Sequence, residues 1–330
     1  MSEPKAFSEL NHMSIINKNL ENVNNIISEV QETFNKPKKR NINISYKFPK
    51  EHKQHKAIAE CSQSIFTTIL QHQQNKNIKK NLSFFACKSK FCPVCNQIKS
   101  KKWAKETYKT ITKIQETEEQ KFLFLTLTIK NPTIEDLDLT IKEMNKKWKK
   151  LWERYLSKQF NGFIKILEIT FPNGNEAHPH FHILVSTNKN YFYKSNKGYL
   201  TTEKISELWG RVLKVDYLPI VDIRKIKPKK KNGKIVKEAV PAVISEMLKY
   251  PMKDTDYNKL NQDSMVLLYN ELYRKRLIAT GGNLKMSINK IDNSNELDEV
   301  EDLDEWKKIA YIVLKYMKGG YIIAGGDYYK

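Results

Sequence analysis

The apolar positions change their period several times along the chain, and each change marks an expected element. From Phe122 to Ile129, Leu123, Leu125, Leu127 and Ile129 fall on one side and Thr126 and Thr128 on the other, the two-residue period of a strand. Leu137, Ile141, Met144, Trp148, Leu151 and Tyr155 then recur at three- and four-residue steps, one stripe of a long helix suited to cover a sheet. Strands are expected at Phe163 to Phe171 and His178 to Ser186, joined by Pro172-Asn173-Gly174-Asn175, where Asn-Gly favours a tight turn. Pro179 has no N–H to give to a ladder, so pairing there is expected to be incomplete. A helix from Thr202 to Leu213, a strand from Tyr217 to Ile226 and a helix from Val240 to Tyr250, with Pro241 in its first turn, complete the series.

The order β-α-β-β-α-β is the split β-α-β plan of ferredoxin-like and related folds, in which the first and third strands lie side by side at the centre. The expected class is therefore α+β, a central antiparallel sheet flanked by helices, over residues 119–286. Outside it the patterning weakens. Residues 1–50 are polar and Asn/Lys-rich, with one weakly helical stretch from Leu20 to Phe34 and the basic run Lys36-Pro37-Lys38-Lys39-Arg40. That composition predicts a linker or accessory DNA contact rather than a folded core. Residues 51–118 contain all four cysteines and end in a helix from Gln97 to Thr117, a small N-terminal module. Residues 287–330 are acidic from Asp292 to Glu305, and Ile309, Ile312, Val313 and Tyr316 then have helical spacing within Trp306 to Met317. This segment is expected to be a helical tail that docks or mediates association, which allows a homo-oligomer.

Charge narrows the class of partner. The 330 residues carry 58 Lys and Arg against 37 Asp and Glu, a formal charge of +21 that suits a polyanion, with nucleic acid first. A solvated lysine-rich surface would give the same balance, so charge alone names no substrate. No window approaches the roughly 18 continuous apolar residues of a membrane span, and the start lacks a signal-peptide core, so no membrane association and a cytoplasmic location are expected. In that reducing compartment clustered cysteines point to metal more than to disulfides. The chain has no G-x-x-x-x-G-K-[ST] loop, so duplex unwinding has to be borrowed.

His178-Pro179-His180-Phe181-His182 is the sharpest chemical signal. Alternation on a strand sends His178, His180 and His182 to one face and Phe181 to the other, and imidazole is a common metal ligand. If Gly174 centres the hairpin, paired residue numbers sum to 348, so Glu168 faces His180 and completes a His/carboxylate site suited to Mn²⁺ or Mg²⁺, with Zn²⁺ also open. A slip of one residue would turn Glu168 away. Cys87, Cys92 and Cys95, with Cys61 upstream, suit a structural tetrahedral Zn²⁺, and His52, His55 or His72 are alternatives to Cys61. Glu246 and Tyr250 are one helical turn apart and hence on one face, a candidate catalytic pair, with Pro251 disfavouring helix at Tyr250. Lys225, Lys227, Lys229, Lys230, Lys231 and Lys234 crowd around Asn232-Gly233, a basic loop able to grip phosphates without reading sequence.

Phe124-Leu125-Thr126-Leu127-Thr128, the His178 to His182 run and Lys249-Tyr250-Pro251-Met252-Lys253, in this order, resemble the three motifs of rolling-circle plasmid replication (Rep) proteins, members of the HUH endonucleases. The resemblance spans about Cys61 to Lys285 and includes Lys275-Arg276-Leu277-Ile278 and Gly281-Gly282. It implies an HUH nuclease domain in which His180 and His182 bind metal, Tyr250 is the nucleophile, Lys253 assists near the phosphate and Glu246 is a general base that lets water end the cycle. One tyrosine fits, since Tyr257 does not match the closely spaced pair of two-tyrosine relatives. It also implies origin DNA, duplex with an exposed single strand, as substrate, and a host helicase and DNA polymerase as partners. An HUH transposase or relaxase, or a non-enzymatic zinc-containing repressor, are the alternatives.

Overall fold

A computed structural model describes residues 5–192, 198–226, 229–231, 234–237, 254–287 and 305–329. In chain order its helices are α1 (Lys5–Ser45), α2 (Lys53–Glu60), α3 (Pro93–Thr117), α4 (Leu137–Arg154), α5 (Thr202–Leu213) and α6 (Gln262–Glu271). The first strands are β1 (Ser64–His72), β2 (Ile78–Phe84), β3 (Gln120–Thr128), β4 (Gly162–Thr170), β5 (His178–Asn188) and β6 (Val221–Lys225). Then come β7 (Lys229–Lys231), β8 (Lys234–Lys237), β9 (Ile278–Gly282), β10 (Trp306–Met317) and β11 (Gly320–Tyr328). The fold is α+β, and it divides into two compact units, one of residues 1–46, 50–95 and 294–330 and one of 47–49 and 96–293.

The second unit is built on a five-stranded antiparallel sheet of order β6-β3-β5-β4-β9. The strands expected first and third, β3 and β5, are neighbours. Alternation gives the sheet two distinct faces. Phe163 and Phe181 point to one, where Trp148 of α4 packs at ring distances of 5.1 and 6.3 Å. The opposite face carries Phe122, Ile164, Ile166 and Leu184, buried under Trp103 and Ile111 of α3. The same face continues to the histidines, so α3 supplies a hydrophobic floor beside the polar end. Each fully buried side chain of this kind stabilises by roughly 1.5–3 kcal/mol. At the β9 edge Gly282 has φ +61 and a Cβ there would strike Asn161 O, while the Phe163 ring lies against Gly281; these contacts favour glycine at both positions.

Two sequence expectations are corrected in the first unit. The basic run is not a linker: α1 passes through it, Val23, Ile27, Val30 and Phe34 are core, and Lys38 is fully buried. Its Nζ donates to Ala59 O (2.6 Å) and Cys61 O (2.7 Å) at the end of α2, so hydrogen bonds to two carbonyls offset the desolvation of its charge. Trp306 to Met317 is not a helix but β10, in a four-stranded sheet of order β11-β10-β1-β2. Ala310, Ile312, Leu314 and Tyr316 are buried at every second position. Apolar residues fill Ile309 to Leu314 almost without interruption, so a helical subset can be picked from a run whose β-branched side chains and pairing partner favour a strand.

The expected strand Tyr217 to Ile226 is shorter, Val221–Lys225, and α3 begins earlier, at Pro93. The expected helix Val240 to Tyr250 and the acidic segment Asp292 to Asp304 lie outside the described residues. No described helix is long and apolar enough to cross a membrane.

Candidate functional site

The hairpin register decides the site. Glu168 pairs with His180 and Ile166 with His182, the register expected from a turn centred on Gly174. Pro179 pairs with Ile169 on β4, but on the other side the β3 ladder stops at Thr128 and His180, so the missing N–H lies beyond its end. Glu168, His180 and His182 therefore converge from two adjacent strands. Glu168 Oε2 lies 2.6 Å from His182 Nε2 and 3.3 Å from His180 Nε2, and the two Nε2 atoms are 3.0 Å apart. Glu168 and His180 are buried, at 9% and 8% exposure, whereas His182 is half-buried.

Neighbouring groups orient the rings. His180 Nδ1 donates to His178 O at 3.1 Å, which fixes the ring with Nε2 aimed at the cluster. His182 Nδ1 meets Thr126 Oγ1 at 3.3 Å and its ring packs on Phe124, with centroids 5.2 Å apart. Three potential ligand atoms thus converge in a largely dry setting, where shared protons or a divalent cation would hold them together. One carboxylate oxygen and two imidazole nitrogens within 4.8 Å are a donor set that fits Mn²⁺, Mg²⁺ or Zn²⁺ with positions left open.

His178 stands apart. Its Nδ1 is 2.6 Å from Asn131 Oδ1, its ring lies 5.0 Å from that of His180, and burial, followed by the neighbouring His180, pushes its pKa below the ordinary value. Sequence reasoning did not single out Asn131, which lies past the end of β3 where periodicity is silent. It also missed Arg224 of β6, whose guanidinium sits 5.1 Å from the Phe124 ring centroid and adds a cation to the histidine face. Lys225 is exposed, with Nζ 4.9 Å from the Phe192 ring. Lys229, Lys230 and Lys231 form a strand that pairs antiparallel with the strand that begins at Lys234. Lys227, Glu246, Tyr250 and Lys253 lie outside the described residues. Tyr257 is buried, at 1% exposure.

The second cluster brings all four cysteines together. Sγ distances are 3.5 Å for Cys61 to Cys95 and to Cys92, and 3.7 Å for Cys87 to Cys95. A tetrahedron of Zn–S bonds of about 2.3 Å has edges of about 3.8 Å, so the spacing suits a four-thiolate site. Hydrogen bonds from Cys87, Cys92 and Cys95 hold Cys61 well below the usual thiol range; donating them pushes Cys87 and Cys95 up, and burial pushes Cys92 up. Cys95 N–H donates to Cys92 Sγ (3.4 Å) at the start of α3, and Asn41 Oδ1 accepts from Cys92 Sγ and Val94 N–H (both 3.3 Å). The histidine alternatives lie in other contacts: His52 caps α2, the His55 ring packs 5.6 Å from that of Tyr46 and His72 meets Glu305 at 3.1 Å.

Comparison with known proteins agrees in extent. The model of a family described as replication protein matches residues 79–318. A Rep protein of Streptococcus pneumoniae serotype 2 (strain D39 / NCTC 7466) is 35% identical over 237 residues, 69% of this chain and 72% of that protein. One of Bacillus amyloliquefaciens is 31% identical over 286 residues, 80% of this chain and 82% of its own length. One of Staphylococcus aureus is 31% identical over 233 residues, covering 68% and 94%. No solved structure matches the chain. The match over most of the chain, together with relatives 31–35% identical to it over the aligned residues, shows that the chain belongs to the replication-protein family of plasmid replication initiators.

Proposed function

We propose that the chain starts rolling-circle replication by nicking one strand of a plasmid origin and holding the new 5′ end on Tyr250. The convergence of Glu168, His180 and His182 on one sheet face is the observation that carries this reading, since surface histidines without a shared task have no need of a buried carboxylate between them. The unit built on the five-stranded sheet is the nuclease. Glu168, His180 and His182 would hold Mn²⁺ or Mg²⁺, which when bound supplies Lewis-acid polarisation of the scissile phosphate. The Tyr250 oxygen forms a bond to phosphorus as the bond to the 3′ oxygen breaks. The phenol proton leaves to solvent or base, and the departing oxygen takes up a proton as a 3′-OH that can prime a polymerase. One phosphoester replaces another, so the step needs no nucleoside triphosphate. Lys253 stabilises charge beside the phosphate, and Lys225, Lys227, Lys229, Lys230, Lys231 and Lys234 hold the strand through its backbone.

In this reading Cys61, Cys87, Cys92 and Cys95 hold a structural Zn²⁺, and a host helicase and DNA polymerase extend the primed strand. The test is incubation of an end-labelled origin oligonucleotide with Mn²⁺ or Mg²⁺ and separation of protein-bound label. With the label on the 3′ end, the wild-type chain yields a covalent adduct through the new 5′ end, the fragment on the 3′ side of the break, and Tyr250→Phe yields none while still binding DNA. An undiminished adduct from Tyr250→Phe refutes the assignment.

A further inference from the structure

The four-stranded sheet of the first unit has one face covered by its own chain. Phe34 of α1 packs on Phe84 and Tyr321 with ring centroids 5.6 and 6.4 Å apart, and Ile65, Thr67, Ile69, Ile312 and Leu314 are buried on that side. The alternate positions carry a different chemistry. Phe66 of β1 is 38% exposed, and its diagonal neighbour across the ladder, Tyr311 of β10, lies with its ring 6.5 Å away and only 15° from parallel. Lysines interleave with the aromatics. Lys308 Nζ is 5.0 Å from the Tyr311 centroid and 4.5 Å from that of Tyr329, and Lys79 Nζ is 4.5 Å from that of Trp306. Lys315, paired with Ser64, is exposed at the far end, and the carboxylate across the ladder from Tyr311 is Asp327.

We propose that this open face binds single-stranded DNA, as a second surface separate from the nicking site. Parallel aromatic rings on a sheet offer stacking platforms to unpaired bases, which a duplex keeps turned inward, and the lysines between them meet the phosphates. Charge favours DNA over an apolar protein partner, because the exposed Lys79, Lys308 and Lys315 around the rings outnumber the carboxylates beside them, Asp327 and Glu305, the latter paired with His72. Phe66 and Tyr311 stack bases; Lys308 and Lys315 exchange their present neighbours for phosphate oxygens. The surface is sequence-tolerant, since every base has a π face. It extends the reading above, in which nicking exposes a displaced strand, but does not depend on the chemistry of that step.

The test uses the full chain carrying Tyr250→Phe, without added Mn²⁺ or Mg²⁺, and a fluorescent oligothymidylate with 5-iodouracil for photocross-linking. Cross-links are expected in the peptides holding residues 64–72 and 306–317. Tyr311→Leu and Phe66→Leu should each weaken binding by about fivefold or more, and Tyr311→Phe should bind like the parent. Changing both Lys308 and Lys315 to Ala should flatten the dependence of log affinity on log salt by about 0.7 for each phosphate no longer neutralised. Thermal melts check that each variant folds; the cross-link map and the lysine variants answer the question even if a leucine variant does not. Parent-like affinity in folded leucine variants, or cross-links confined to residues 96–293, overturns the proposal. Neither result touches the nicking reading, which rests on the Tyr250 adduct.

Discussion

Lys165 offers a test of how the sheet domain is held together. It lies on β4, facing away from the histidine site, and is 4% exposed. Burial pulls its pKa from 10.5 down to about 7. Nζ donates to Asn145 Oδ1 and lies 3.8 Å from the Phe181 ring centroid. The unfolded chain keeps the ordinary lysine, so at pH 7 folding must pull off much of a proton, which at 1.36 kcal/mol per pH unit costs about 4 kcal/mol. Lys165→Met retains a similar length of apolar chain against Phe181 and Trp148 and removes that cost. It also strands Asn145 Oδ1, a loss of about 1–3 kcal/mol. The Phe181 ring favours the charged form, which moves the balance toward the smaller gain. The expected result is a variant more stable by about 1–2 kcal/mol at pH 7, or a melting temperature raised by roughly 2–8 °C. The pH dependence has a definite sign. A folded pKa below the unfolded one means that the unfolded chain binds more protons between about pH 7 and 10.5, so wild-type stability rises with pH through that window relative to the variant. The advantage of Lys165→Met is greatest at or below pH 7 and shrinks as pH rises. Denaturant unfolding followed by tryptophan fluorescence, in matched buffers from about pH 6 to 9.5, measures it. A variant no more stable than wild type at pH 7, or a difference that stays constant with pH, refutes the reasoning.

Three further outcomes follow from the two clusters and the proposed chemistry. Glu168→Gln keeps the shape of the side chain but loses its charge, so Mn²⁺ affinity should fall by about tenfold or more with the fold intact; an unchanged Mn²⁺ titration of strand cleavage would remove Glu168 from the site. Cys92→Ser should release bound zinc and lower the melting temperature of the unit that contains it, and native protein with no zinc and four freely titrating thiols would rule out a four-thiolate centre. Glu246→Ala should still form the Tyr250 adduct but fail to terminate, giving multimeric strands in place of unit-length ones. Normal unit-length products would exclude Glu246 as the group that activates water and favour a second subunit's tyrosine.

In the second unit α4 was legible because it is long and one-sided. The helical stripe from Leu137 to Leu151 is buried in α4 as expected, and Glu168 pairs with His180 in the register centred on Gly174, although seven residues rather than a tight Asn-Gly turn join β4 to β5 and both strands are buried on both faces. Local periodicity suffices where only one face of an element is apolar. It fails for Trp306 to Met317, where apolar side chains occupy both faces and the partner, β1, lies more than two hundred residues away in the chain. The same distance hides the first unit as a whole, since its sheet is assembled from both ends of the sequence. Lys38 shows the reverse case: a lysine within a basic run reads as solvated, and only the carbonyls of Ala59 and Cys61, brought to it by packing, make its burial tolerable. Ligand types and their spacing are properties of the sequence. Which of them meet was decided by tertiary structure: Cys61 joining three distant thiols, His178 held by Asn131 beside the cluster, and Phe66 laid parallel to Tyr311, because contacts between residues far apart in sequence leave no periodic trace in either segment alone.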